Sequence, residues 1–455
     1  MSTKPATLPS GERTGRRPSA ETLGLLVPVL LVAVAIAVPA LTGWDVGARS
    51  DDRGLAPTHG YWDPKLGPGT LPALAVAVAG WRLAGRAERL PWRTLLLTSY
   101  AVGLAWLLSL ALVDGPSGLT RVLGNPYEYL ETARAITDVP AMLDEFVDRI
   151  PYAHPDNWVT HVAGHPPAAL LFFVALDRIG LGGDLAAALV VTAVAASVAP
   201  AVLVALRALR AERAARRAAP FLVLAPAAVF LAVSADAVFT AVAAWGLAAL
   251  ALGATRTGLP ARVGWSVLAG LLLGSCVLLS YGLPLLGLLA VAVLVVARSW
   301  LPLPVAAATA LMLVLGFAGY GFALWEALPV LRERYWDGIA SERPAAYWLW
   351  GNLAALTVAA GPAVGAGLTR LRPRLTSVSS EEDRTVRWLA GAAVLTVLAA
   401  NLSLMSKGEV ERIWLPFVPW LLIACALLPG HWRRVALGVQ LVTALLVQHL
   451  LYTSW

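Results

Sequence analysis

GHPPAALLFFVALDRIG (164–180) is the stretch whose reading decides how the rest of the chain is threaded. It is apolar enough to be taken for a membrane crossing, and that choice sets the side of every later loop. Counted as a span, it puts the five-arginine stretch from Arg207 to Arg217 outside and reverses the loops that follow. That would break the tendency of Lys and Arg to gather on the cytoplasmic side. Left as an amphipathic helix on the outer surface, it restores the tendency throughout. Its Pro-Pro start suits a helix N-terminus, where the missing N–H is not needed. We therefore expect a juxtamembrane helix over 164–180 and no crossing.

Working outward, the composition sets the class. Of 455 residues, 58% are hydrophobic and 14% charged, where a soluble domain carries about 25% charged. Apolar runs of about 20 residues recur, each long enough to cross a ~30 Å hydrocarbon layer. Disorder, a coiled coil, a disulfide scaffold and a cytosolic enzyme are excluded. The expected fold is an all-α polytopic membrane protein. Residues 1–21, with Lys4, Arg13, Arg16 and Arg17, read as a disordered basic cytoplasmic tail. The run 22–43 is too long for a signal-peptide core and reads as a retained first span. Residues 22–455 then form a single transmembrane domain. Its spans are expected near 22–43, 70–85, 92–113, 184–206, 218–233, 237–253, 263–281, 283–298, 303–325, 346–368, 386–404, 413–429 and 433–451. That is about thirteen, with twelve to fourteen the working range. Cys276 and Cys425 fall inside apolar runs and read as buried packing residues.

The net charge of +7 would suggest nucleic acid in a soluble protein, but sorting it by side gives another meaning. With the N-terminus in the cytoplasm, 23 of the 35 Lys and Arg lie inside, while 21 of the 28 Asp and Glu lie outside. The excess is an orientation signal, and no nucleic-acid partner is expected. His59, His154, His161 and His165 also fall outside. The chemistry is expected on the extracytoplasmic face of a multi-pass cell-membrane protein.

The outer loops hold the candidates. Asp114 ends an apolar span in LVDGPSG, at the membrane boundary. A carboxylate there is desolvated unless it faces a cavity, which makes it a functional candidate; the alternative is an exposed Asp-Gly turn. The long loop 114–183 contains NPYEYLETARAI, with Tyr129, Leu130, Ala133 and Ile136 on one helical face. AMLDEFVDRI follows, with Met142, Phe146 and Ile150 on another. Both are expected to lie on the bilayer surface. His161 and His165 share a face at i, i+4, but no Cys accompanies them and the Glu of an HExxH motif is missing. Hydrogen bonding in a polar cavity is the preferred role. No cofactor is expected, with a divalent metal left open. Asp236, in AVSADAVFTA, and Tyr281, in LLSYGLP, stand at outer helix ends and read either as turn residues or as cavity lining. The stretch NLSLMSKGEVERIWLP (401–416) packs Lys407, Glu409, Glu411 and Arg412 at an outer boundary. It reads as a solvated loop with local ion pairs or as a phosphate clamp, since Arg offers a planar fork and Lys a point charge. We favour the clamp.

Taken in order, these features resemble the GT-C superfamily of membrane glycosyltransferases. The carriers are a span ending in an acid, an outer loop with two surface helices, and a helix opening with GHPPAALLFF. An arginine-rich inner turn and an outer Ser234-x-Asp236 follow. GWDV…HGYWDPKLGPGT and SKGEVERIW are similar to actinobacterial methylthioxylose transferases. The resemblance implies a sugar donor on a polyprenyl phosphate, an envelope glycan or lipid acceptor, and transfer with inversion. It also implies Asp114 as the base, with Glu128 second, and Lys407 and Arg412 on the donor phosphate. One departure stands out: family members often carry Asp-Glu before the Y-x-x-x-A-R pattern, where this chain has Asn125-Pro126.

The competing classes are a transporter or flippase and a non-catalytic envelope scaffold. Transporters place ionisable groups near the bilayer midplane; here the polar weight lies in the outer loops.

Overall fold

The computed structural model describes residues 18–49, 54–372 and 380–453. The expected tail, up to residue 17, lies outside the described residues, as do Asp51 and Asp52. From the N-terminus run α1 (Ala20–Thr42), α2 (Thr70–Leu83) and α3 (Trp92–Ala111), the last prolonged to Asp114 by a 3-10 turn. Short helices follow: α4 (Tyr129–Ala135), α5 (Val139–Asp144), α6 (Thr160–Ala163) and α7 (Pro167–Arg178). Next come α8 (Asp184–Ala196), α9 (Val198–Ala208), α10 (Glu212–Val223), α11 (Ala228–Leu231) and α12 (Asp236–Thr255). They lead to α13 (Leu259–Leu279), α14 (Gly287–Ala297), α15 (Pro302–Gly319) and α16 (Leu324–Asp337). The last third holds α17 (Ala345–Ala360), α18 (Ala363–Leu368), α19 (Glu381–Leu402), α20 (Val410–Ile413), α21 (Val418–Leu422) and α22 (Gly430–Leu450). Two-residue strands β1 (Tyr61–Trp62) and β2 (Leu451–Tyr452) pair antiparallel and tie the first loop to the chain end.

The chain is an all-α polytopic membrane protein. Among the described residues, 7 helical stretches are long and apolar enough to cross a membrane: α1, α3 with its 3-10 turn, α8 continued by α9, α12, α13, α15 and α19. The remaining expected spans are shorter, interrupted or more polar. Helix α2 has 14 residues, α17 stops at Gly361 before α18, and α22 carries Arg433, Arg434, Gln440 and Gln448. Helix α12 is the centre, with 83% of its apolar window buried, while α1 is only 6% buried and presents apolar side chains outward. Small residues bring the backbones together: a Cβ on Gly274 of α13 would stand 2.8 Å from Ala310 Cα of α15. Cys276 and Cys425 are both buried, as expected.

The bundle has two chemically different ends. At one, Glu88, just before α3, pairs with Arg433 at the start of α22 (3.1 Å). At the other, Asp114 beyond α3 accepts a hydrogen bond from Gln448 near the end of α22 (2.8 Å). The two helices run parallel, so the 23 residues from Trp92 to Asp114 separate these ends by roughly 34 Å.

Helix α7 has 12 residues, about 18 Å, which is too short to cross. The expected apolar faces are formed, since Tyr129, Leu130, Ala133, Met142, Phe146 and Ile150 are all buried. They turn into protein, not toward lipid, and that corrects the expectation of helices lying on the bilayer. Tyr129 stacks on Phe173 of α7 (5.1 Å), and Phe146 packs against Trp158 and Phe322. Arg334 donates to the carbonyls of Ile150 and Trp158. The long loop is thus a lid of protein over the end of the bundle.

Candidate functional site

The Asn125-Pro126 turn, where the sequence departs from the related pattern, aims the first site residue. Asn125 Oδ1 accepts from Tyr127 N–H (3.0 Å) and its carbonyl accepts from Glu128 N–H (2.9 Å). The turn leaves Glu128 in extended conformation at the N-cap of α4, 4% exposed. His161 comes from α6, and His165 immediately precedes the Pro-Pro start of α7. Asp236 opens α12; Ser234 Oγ donates to its Oδ2 (3.2 Å) and accepts from its N–H (3.2 Å). Arg412 lies on α20.

These residues meet around one guanidinium. Arg412 Nε is 3.0 Å from Asp236 Oδ2, Nη1 donates to Glu128 Oε1 at 3.4 Å, and Nη2 is 3.0 Å from His161 Nδ1. Because Arg only donates, Nδ1 accepts and the His161 proton sits on Nε2, which lies 3.4 Å from Glu128 Oε1. The carbonyl of His161 accepts from His165 Nδ1 (2.9 Å), and Tyr129 Oη is 2.9 Å from the same nitrogen. Arg412, Glu128 and Asp236 are each 4% exposed.

The electrostatics set apart the carboxyls outside the spans. Burial, aided by the Asp236 charge and opposed by Arg412, raises Glu128 to about 7. Its Oε2 is buried and has no hydrogen-bond partner among the described residues. Burial and Arg412 hold His161 well below the usual histidine range, so it stays neutral. Burial also lowers His165, against the pull of Asp236. Arg412 would lose its proton more readily by burial alone, yet Asp236, Glu128 and Glu409 outweigh this and keep it charged. A carboxyl poised near neutrality with a free lone pair is equipped for proton transfer.

A second cluster adjoins on the same segment. Glu409 accepts from Arg343 Nη2 (2.9 Å) and stands 3.7 Å from His59 Nδ1. Burial works to raise its carboxyl, but Arg343, His59 and Arg412 hold it at about 2. Glu411 accepts the His59 N–H (2.9 Å); burial raises it to about 7 against that hydrogen bond, and its Oε2 is unpartnered. Gly408 has φ +87, and a Cβ there would stand 2.9 Å from Arg343 Nη1. Non-glycine residues in the left-handed region flank the site on both segments that meet at Arg412: Val233 (φ 66) and Glu409 (φ 60). For a β-branched residue this conformation is an outlier, worth about 1–3 kcal/mol of strain.

Several expectations change. Asp114 joins neither cluster. It pairs with Lys65 (2.7 Å) and Arg121 (3.8 Å) and accepts from Gln448 (2.8 Å). Donors on both oxygens leave little capacity for a substrate proton. Lys407 is no partner of Arg412 in a clamp: its Nζ donates to Arg343 O (2.8 Å) and lies over the Trp336 ring (4.2 Å). Both are walls of the loop. Arg412 itself is shared between two carboxylates and holds no surplus charge while both are ionised. Among the described residues, Tyr281 makes no hydrogen bond or ion pair to either cluster, and its buried hydroxyl has no partner. Sequence reading took His161, His165, Asp236, Glu409 and Glu411 as cavity lining and Arg412 as half of a phosphate clamp, and did not bring them around one guanidinium. It did not pair Arg343 and His59 with Glu409, because both reach it from far along the chain.

No family model matches this chain, and no curated protein matches it. Among solved structures, it is similar to the Archaeoglobus fulgidus oligosaccharyltransferase in complex with Zn and sulfate, with a TM-score of 0.43 and 15% identity over 75% of this chain and 53% of that one. It is also similar to ArnT from Cupriavidus metallidurans in the apo state, with a TM-score of 0.36 and 17% identity over 77% of this chain and 76% of that one. The chain therefore spans about half the length of the first of these, at 53%.

Proposed function

We propose that the chain is a GT-C-type membrane glycosyltransferase, with Glu128 as its general base. It takes a sugar from a polyprenyl-phosphate donor held in the bilayer and passes it to a hydroxyl of an envelope glycan or lipid. The observation that carries this reading is the buried Glu128 carboxyl, near neutrality with one oxygen unpartnered, beside Arg412 and Asp236. The acceptor hydroxyl gives its proton to Glu128 Oε2 while its oxygen attacks the anomeric carbon. The carbon–oxygen bond to phosphate breaks, and the electron pair leaves with the phosphate. Attack from the opposite face inverts the configuration. Once Glu128 is protonated, Arg412 is balanced by Asp236 with less competition and can face the departing phosphate. Proton uptake and leaving-group stabilisation are thereby linked through one guanidinium. The order of motifs in the sequence, from the acidic span end to GHPP, supports the same class.

The arginine-rich helix ends, including Arg82, Arg216, Arg217, Arg433 and Arg434, lie opposite this cluster. By the positive-inside tendency we assign that end to the cytoplasm and the Glu128 end to the outer face. The direct test incubates purified protein with polyprenyl-phosphate sugars and envelope glycan acceptors. Labelled sugar should appear on acceptor with inverted configuration; no transfer across a broad donor panel sinks the reading.

A further inference from the structure

We propose that the arginine-lined cavity at the end opposite Glu128 binds the phosphate headgroup of an anionic lipid, with the lipid chain lying in the adjoining apolar groove. This binding uses none of the residues assigned to glycosyl transfer.

The cavity has a volume of about 240 Å³ and lies between the end of α2, α10 and the start of α22. Arg82, Arg216, Arg217, Arg433 and Arg434 line it together with Glu88. The carboxylates do not balance these charges. Glu88 serves both Arg433 (3.1 Å) and Arg217 (3.8 Å), and Glu212 is shared between Arg216 (2.7 Å) and Arg207 (2.9 Å), the latter outside the cavity lining. Arg82 makes no ion pair among the described residues, and Arg434 lies over the Trp81 ring (4.2 Å). Arg217 Nε is buried, 3.8 Å from Glu88 and within hydrogen-bond distance of no acceptor among the described residues. Five guanidiniums against at most two carboxylates, one of them shared with Arg207, leave at least three positive charges at one cavity, and crowded like charges call for a counter-anion. Guanidinium forks match phosphate oxygens in shape as well as charge.

The second observation identifies the occupant as a lipid. An apolar groove of about 480 Å³ opens beside the cavity and shares Ala84 and Pro220 with it. Val76, Ala79, Leu83, Leu95, Ala101 and Val223 line it. A free phosphate has no use for that surface; an acyl or prenyl chain fills it. In the orientation proposed above, the site opens to the cytoplasmic leaflet, where anionic lipids gather and basic pockets between helices hold their headgroups.

The test is native mass spectrometry of the full chain in detergent with equimolar dioleoyl phosphatidic acid and dioleoyl phosphatidylcholine. Phosphatidic acid should be retained about tenfold more, because its phosphomonoester carries an extra ionisable oxygen and no choline cation to offset the charge that the arginines meet. Arg217→Gln with Arg433→Gln should abolish the preference. Arg82→Gln, at an exposed side chain without an ion pair, should reduce it should the double variant fail to fold. Ala79→Trp, which fills the groove and leaves every arginine in place, should weaken retention of phosphatidic acid. Equal retention of the two lipids overturns the proposal, as does a preference untouched by the arginine variants. Displacement of phosphatidic acid by an equal concentration of inorganic phosphate, with Ala79→Trp silent, would show a free-anion site and overturn the lipid assignment. Loss of glycosyl transfer in the Glu128 experiments has no bearing on these outcomes.

Discussion

Glu128→Gln separates a base from a brace. The carboxyl is raised from 4.5 to about 7, so the folded protein holds the neutral form more tightly than the unfolded chain does. The sign follows: above pH 4.5 the unfolded state ionises first, and the folded state gives up stability until pH passes about 7. A shift of this size, at about 1.4 kcal/mol per unit, corresponds to roughly 3 kcal/mol lost at pH 8. Gln is neutral at every pH and of the same shape, so it removes that cost. The Arg412 attraction is already contained in the shift. Thermal unfolding in detergent at pH 8 should therefore show the variant at least as stable as the parent. At the same pH, loss of the base should slow transfer about 10²–10⁴-fold, and the limb of the pH–rate profile rising through about pH 7 should disappear. A brace would behave in the opposite way, losing stability and keeping most of its rate. Transfer within a few-fold of the parent, or an unfolding temperature that drops at pH 8, would refute the assignment.

The remaining predictions contrast with it. Asp114→Asn should slow transfer only a few-fold while costing about 1.5–3 kcal/mol, because it removes the charge that Lys65 and Gln448 hold; unfolding and rate measurements on one preparation read both. Arg412→Ala should lose transfer and about 3–5 kcal/mol together, since Asp236 loses the cation that pairs with it, while Glu128, no longer held down by Arg412, takes up a proton. Arg412→Lys should not restore the rate, because an ammonium cannot reach Glu128, Asp236 and His161 at once. Glu409→Gln tests the opposite sign: its carboxyl is held at about 2, so its stabilisation is present above about pH 4.5 and fades as pH falls toward 2. The variant should be about 3 kcal/mol less stable at pH 7, and the gap should narrow in unfolding measured at progressively lower pH.

Where the sequence was legible, the reason is periodicity. Hydropathy over a window depends on near neighbours, and so do the helical faces of Tyr129, Leu130 and Ala133 or of Met142, Phe146 and Ile150. The same holds for the shortness of α7, because a Pro-Pro start and a Gly end confine a helix whatever surrounds it. The ranking of carboxylates was not legible. Desolvation at a membrane boundary favoured Asp114 over Glu128, but what burial does to a carboxylate's role depends on which cations stand opposite. Lys65 and Gln448 reach Asp114 from far along the chain, and Arg412 reaches Glu128 across 284 residues. Likewise Lys407 and Arg412 are five residues apart in sequence, yet one is folded under Arg343 and the other turned to Asp236.

By itself the sequence determined that this is a helical, multi-pass membrane protein and which short segments carry apolar faces. The tertiary structure alone decided what those faces cover and which acid is left with a free oxygen. Close packing of small residues sets the relative position of the helix ends, and ion pairs form only between ends that packing has brought within a few ångströms.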